Sequence, residues 1–280
     1  MSHEPAAAEP VAPPTDEPSE SAVVHDFWGE LRGSTQARIG LGRTGDALPT
    51  TDVLALRAAH AAARDAVHLP LDVATFTEQI AAVGLGAPVT VASRAADRAE
   101  YLRRPDLGRL PDDLTAVTET GADIGFVLAD GLSPLALAEH APGLLAALST
   151  ELGDSYTLAP PVIATQARVA LGDHIAAAMG VRTVLVLIGE RPGLSVADSL
   201  GIYLTHLPRP GRADAERNCV SNIHPPDGLT YTDAARVVAG LVAGARALGR
   251  SGVDLKDTSR ADSLADAETS VVEPAPGFVS

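Results

Sequence analysis

Three short stretches gather the side chains from which chemistry could be built. The run Asn218-Cys219-Val220-Ser221-Asn222-Ile223-His224-Pro225-Pro226 packs a thiol, two amides, a hydroxyl and an imidazole into one segment. A thiol deprotonated by a neighbouring imidazole is a nucleophile, so Cys219 with His224, or with His206, would suit a cysteine-dependent hydrolase. Against that stands the common use of a lone cysteine as a small apolar packing group. Gly189-Glu190-Arg191-Pro192-Gly193 sets a carboxylate and a guanidinium in a Gly/Pro turn, which a plain solvated turn would also produce. In Asp130-Gly131-Leu132-Ser133-Pro134, Ser133 is a helix cap, Pro134 suits the first helical position and Gly131 serves the turn. That loop is explained without a ligand.

Familiar cofactor and catalytic patterns are missing. There is no G-x-G-x-x-G, no G-x-x-x-x-G-K-[ST] and no H-E-x-x-H, and the only lysine, Lys256, lies far from any Gly-rich loop. No G-x-S-x-G elbow occurs. The eight histidines are scattered, and Asp173-His174 alone is not a metal pair. One cysteine excludes an internal disulfide framework and any multi-cysteine metal cluster.

The elements that must hold these loops follow from apolar periodicity. Val24, Phe27, Trp28 and Leu31 fall at i, i+3, i+4 and i+7 and form one stripe of a short helix that docks onto a core or a partner. Residues 50–104 read as helical. Thr51 caps a helix reaching about Val67 with Val53, Leu54, Leu56, Ala59 and Val67 toward a core; Asp72 caps a second and Ser93 a third that stops before Pro105. From about residue 120 short apolar runs at 124–129, 162–164, 184–188 and 202–207 alternate with helical stretches, the last helix spanning about 233–248. Such alternation predicts a parallel sheet covered on both faces. Ligands of such sheets bind beyond the carboxyl ends of the strands, where the Asp130 and Glu190 loops fall.

Composition frames this organisation. Of 280 residues, 46% are hydrophobic, enough for a substantial core, and no apolar run is long enough to span a membrane. The N-terminus lacks a basic region followed by an apolar one, so no secretory signal is expected. Net charge is −15 with few aromatics, which argues against nucleic-acid binding. The acid is concentrated in Pro- and Ser-containing ends, residues 1–24 and 257–280, which read as disordered tails. The expected fold class is α/β: a helical N-terminal lobe over 25–118, then a Rossmann-like parallel-sheet domain over 119–256.

Several of these blocks, taken together, point to a family. IGERPGLSVADSLGIYL, RNCVSNIHPPDG, DGLS, RRPDLGR and STQARIGLGRTG resemble the small (light) subunit of ethanolamine ammonia-lyase, in order, from about Asp26 to Lys256. The resemblance implies an adenosylcobalamin-dependent lyase converting ethanolamine to acetaldehyde and ammonia. It implies a large TIM-barrel partner subunit that binds substrate, while the small subunit closes the other side of the corrin. The family's cobalamin-contacting positions match Val169 in ARVALGD, Glu190 in GERPG and Cys219 in NCVSNIH. A corrin edged with amides and methyls needs apolar and polar contacts of this kind, and the cofactor itself carries the hard chemistry. The D-x-H-x-x-G signature of histidine-ligated cobalamin is absent, which agrees with the cofactor keeping its own lower ligand. With no secretory signal or membrane span expected, the enzyme is expected to be cytoplasmic, with a bacterial microcompartment as the alternative. Relatives can be packaged in bacterial microcompartments through N-terminal extensions, but here the extension lacks an amphipathic helix before Val23. A hydrolase using Cys219 and His224, and an organising subunit without cofactor contacts, remain the alternatives.

Overall fold

The structure, a computed structural model, describes residues 27–256. The two acidic ends, and Val24 of the N-terminal stripe, lie outside the described residues. The chain divides into two compact units between Pro49 and Thr50. In the first, α1 (Phe27–Gly33) is a seven-residue helix on which Trp28 and Leu31 are exposed. Within that unit the Arg32 Nη1 donates to the Gly40 carbonyl at 2.7 Å.

The second unit is built on a six-stranded sheet. Its elements in chain order are α2 (Thr50–His68), α3 (Val73–Ala81), β1 (Val89–Ala92), α4 (Arg98–Arg103), β2 (Ile124–Ala129), α5 (Pro134–Gly153), β3 (Val162–Thr165), α6 (Leu171–Met179), β4 (Thr183–Gly189), β5 (Leu200–His206), β6 (Asn218–Ile223) and α7 (Tyr231–Leu248). The sheet order is β1-β3-β2-β4-β5-β6. The first four strands are parallel, with Val89 opposite Val162, Val127 opposite Val162, and Phe126 opposite Leu185. β2 and β4 are buried at every position, which is why they read as unbroken apolar runs. One face of the sheet packs Phe126, Leu185 and Ile202 against Phe76 of α3, Leu144 of α5 and Val238 of α7. The other packs Val127, Ala164 and Val186 against Leu171 and Ile175 of α6.

Four sequence expectations change. Strand β5 pairs antiparallel with β4, and β6 antiparallel with β5, so the sheet is mixed rather than wholly parallel. A loop joins β4 to β5 where a parallel crossover would need a helix. Within the stretch read as helical, β1 forms the sheet edge beside β3, so the 25–118 segment is not a purely helical lobe. Ser93 therefore lies just past a strand, and Asp97 caps α4 instead, accepting from the Glu100 N–H at 2.8 Å. On α2 the expected core-facing set is not buried: Leu54 is 58% exposed and only Ala66 is enclosed.

Other local expectations hold. Asp72 caps α3 through the Thr75 N–H at 3.2 Å. Ser133 caps α5 with Pro134 in its first turn. The last helix buries Ala234, Val238, Leu241, Val242 and Ala245, with Val237 packed beside them.

Candidate functional site

The carboxyl ends of β2, β3 and β4 meet in a cleft of about 320 Å³. Neighbouring strands β2 and β3 send their helices, α5 and α6, to opposite faces. At such a switch point a crevice opens beyond the strand ends. Directly after β2, Asp130 is buried and accepts from the Gln166 N–H at 2.8 Å and the Ala167 N–H at 2.9 Å. Burial pushes the Asp130 carboxyl up, while those two amides and Arg98, 3.7 Å away, pull it down. Arg98 in turn donates to the Gly131 carbonyl at 2.8 Å and the Val67 carbonyl at 2.6 Å, tying α2 and α4 to the site. Asp130 is thus spent on the scaffold.

The loops after β2 and β4 cross at backbone distance. The Leu132 N–H donates to the Gly189 carbonyl at 2.9 Å. Gly131 has φ +58°, and a Cβ there would collide with the Gly189 carbonyl oxygen; one on Gly189 would meet the Ser133 backbone. The two glycines permit this crossing, and Gly131 has the backbone role its turn position suggests.

Val169 and Glu190 line the same cleft, Val169 from the β3–α6 loop and Glu190 directly after β4. The Glu190 carboxylate is anchored through one oxygen. Its Oε2 accepts from the Ser199 hydroxyl at 2.6 Å and from the Asn222 N–H at 3.3 Å. Its Oε1 lies beside Gly201, where a Cβ would stand at 2.8 Å, and takes no hydrogen bond among the described residues. Cys219 does not line this cleft. It sits on the exposed side of edge strand β6, directly opposite Tyr203 of β5, and Tyr203 does line it. Structure thus brings Val169 and Glu190 together and leaves Cys219 one residue pair away.

The local field acts against an activated thiol. Desolvation pushes the Cys219 thiol up and the Glu190 charge adds to that, with the Tyr203 hydroxyl pulling the other way. Desolvation, reinforced by Cys219 and Glu190, likewise pushes the Tyr203 phenol up to about 12. Neither histidine of the hydrolase reading is poised as a base for the thiol. His224 is buried with Nε2 on the Asn222 Oδ1 at 2.8 Å, and His206 is buried with Nδ1 on the Thr183 hydroxyl at 2.9 Å.

A buried ion pair fixes β6 against α6. Arg217, immediately before β6, donates from Nη2 and Nη1 to the two carboxylate oxygens of Asp173 on α6, at 2.6 and 2.8 Å, and from Nη1 to the Thr205 hydroxyl at 2.8 Å. Both side chains are 1% exposed. The bidentate geometry sets the distance between the strand carrying Cys219 and the helix that starts after Val169.

Sequence reading missed Tyr101, Arg168 and Tyr203, which line the cleft together with Arg191 of the Glu190 turn. Tyr101 comes from α4 and Tyr203 from β5, so no local spacing marks them. Arg168 adjoins Val169, which was singled out, and adjacency was the only available signal.

Comparison with known proteins gives one answer. The family profile described as ethanolamine ammonia-lyase light chain (EutC) matches residues 25–256. The ethanolamine ammonia-lyase small subunit of Rhodococcus erythropolis is 69% identical over 249 residues, covering 89% of this chain and 97% of that protein. The small subunit of Rhodopseudomonas palustris is 48% identical, covering 89% of this chain and 95% of its own length. That of Ralstonia nicotianae is 45% identical, covering 88% and 94%.

Proposed function

The chain belongs to the ethanolamine ammonia-lyase light-chain family, and from that premise we propose that it is the small subunit of a lyase converting ethanolamine to acetaldehyde and ammonia. A large TIM-barrel subunit holds the substrate, and adenosylcobalamin lies between the two chains. The observation that carries this reading is the convergence of Val169 and Glu190 on one strand-end cleft, with Cys219 paired to its wall residue Tyr203.

The residues suit that cofactor. Glu190 Oε1 is an available acceptor for an amide N–H, and Val169, Leu132 and Ile188 give apolar surface for methyl groups. About 320 Å³ is near the lower end of clefts that enclose a drug-sized ligand, and a corrin is larger still. The cleft therefore takes an edge of the ring, and a partner must cover the rest. When bound, the cofactor supplies radical chemistry of its own. This chain's residues bind and orient: Glu190 accepts at the corrin rim, Val169 packs against it, and Cys219 is a compact contact on the β6 side, beside Tyr203. The part that does this is the Rossmann-like portion of the 119–256 segment, strands β2, β3 and β4 with α5 and α6 on opposite faces. No described helix is long and apolar enough to cross a membrane, and a cytoplasmic location, free or within a bacterial microcompartment, fits an enzyme of this kind.

Reconstitution tests the proposal. Ethanolamine turnover is expected only when this chain, the large subunit and adenosylcobalamin are combined. Full turnover without this chain, or hydrolase activity of this chain alone that requires Cys219, would overturn it.

A further inference from the structure

Arg168 is the unexplained group in the cleft. It lines the cleft beside Val169, and no carboxylate lies within ion-pair distance of it among the described residues. Its Nε is buried without a hydrogen-bond partner. Its Nη2 reaches only the Tyr101 carbonyl, at 3.5 Å, the outer limit of a hydrogen bond. A guanidinium left this poorly satisfied in a partly enclosed place is costly, and a native structure retains one for a reason.

The surroundings hold this guanidinium in place without neutralising it. Its Cζ lies 4.3 Å from the centroid of the buried Tyr101 ring. The Tyr101 hydroxyl donates to the Ala167 carbonyl at 3.1 Å, fixing the backbone just before Arg168. The Arg168 N–H donates to the Gly108 carbonyl at 2.8 Å. A Cβ on Gly108 would stand 3.0 Å from the Arg168 Cγ and from the Tyr101 ring, so this glycine leaves room for the arginine stem. The RRPDLGR block, which has no part in the contacts assigned so far, is thus the seat of Arg168. Arg98, on the same ring, also has an unpartnered Nη2, but it is committed to Asp130, Gly131 and Val67 and does not line the cleft.

We infer that Arg168 is a further cofactor-binding residue, donating from its free guanidinium edge to an oxygen acceptor on the periphery of the corrinoid. This rests on the cobalamin reading above. Two sources carry such an oxygen, a side-chain amide carbonyl of the ring and the phosphate of the nucleotide loop. Glu190 takes amide N–H groups and Arg168 takes oxygens, so together they offer both halves of the hydrogen bonding that an amide-edged disc requires.

The test is equilibrium binding of cyanocobalamin to the reconstituted two-subunit complex, followed by absorbance, for wild type, Arg168→Met, Arg168→Lys and Glu190→Ala. Met keeps an apolar stem on Tyr101, and co-elution with the large subunit checks assembly. Arg168→Met is expected to weaken binding roughly tenfold or more, and Arg168→Lys to recover part of it. If added salt shrinks the loss, the acceptor is the phosphate; if salt leaves it unchanged, the acceptor is an amide carbonyl. Wild-type affinity in an assembled Arg168→Met complex, with Glu190→Ala weakened, would overturn the Arg168 assignment and leave the cobalamin reading standing. Wild-type affinity in both variants would overturn both.

Discussion

Glu190 is held by one oxygen, and that asymmetry makes its contribution measurable. Ser199 and Asn222 fix Oε2, so the carboxylate is already oriented when a ligand reaches Oε1. Losing a hydrogen-bond acceptor of this kind costs about 1–3 kcal/mol. Glu190→Ala should therefore raise the adenosylcobalamin concentration needed for half-maximal turnover roughly tenfold, with the apparent ethanolamine affinity unmoved. A titration of each ligand against the other at saturation checks this. Cys219 calls for the opposite kind of expectation. Its thiol is raised rather than activated, and it touches Tyr203 rather than the cleft. Cys219→Ser should leave turnover near normal at saturating cobalamin, with a modestly raised cobalamin requirement. A drop of several orders of magnitude in an assembled, cofactor-loaded complex would show that the thiol takes part in the chemistry.

At the scale of elements, the crossing of the β2 and β4 loops shapes the cleft. Gly131→Ala would place a side chain at positive φ and against the Gly189 carbonyl. It should destabilise the protein by about 2–4 kcal/mol and weaken cofactor binding, read by thermal melting and by cobalamin titration. The strands that build this crossing were legible because β2 and β4 are buried on both faces and leave uninterrupted apolar runs. The sheet's edges were not. β1 is four residues, Val-Thr-Val-Ala, too short for a period to show. In β6 only Val220 and Ile223 are buried, three positions apart across a register shift, so no period of two shows; Asn, Cys and Ser dominate its composition and it reads as a loop. The same physics divides the site. Glu190 and Val169 follow strands and can be placed by the strand-end rule. Tyr101 and Arg168 meet only after α4 folds against the β3 loop, a contact between positions far apart in sequence.

For the whole molecule, the exposed apolar side chains Leu54 and Leu69 at the α2 end of the second unit, and Leu135 on α5, suit a chain that works inside an assembly. The isolated chain should show no ethanolamine turnover and gain it with the large subunit; turnover by the purified single chain would refute this. Removing residues 1–20 and 260–280 should leave assembly and activity nearly intact, because both stretches are acidic and fall outside the matched family region. Failure of the truncated chain to co-elute with its partner would refute that. The buried pair of Asp173 and Arg217 carries a consequence of another kind, for the routes open to mutation. Replacing either residue alone strands a charge in the interior at roughly 3–5 kcal/mol, whereas an apolar pair of matching volume can be neutral or better. A lineage drifting from this sequence therefore cannot exchange the two by single tolerated steps. It must carry stability in reserve from elsewhere first, so the order in which other substitutions accumulate decides whether this position can ever change.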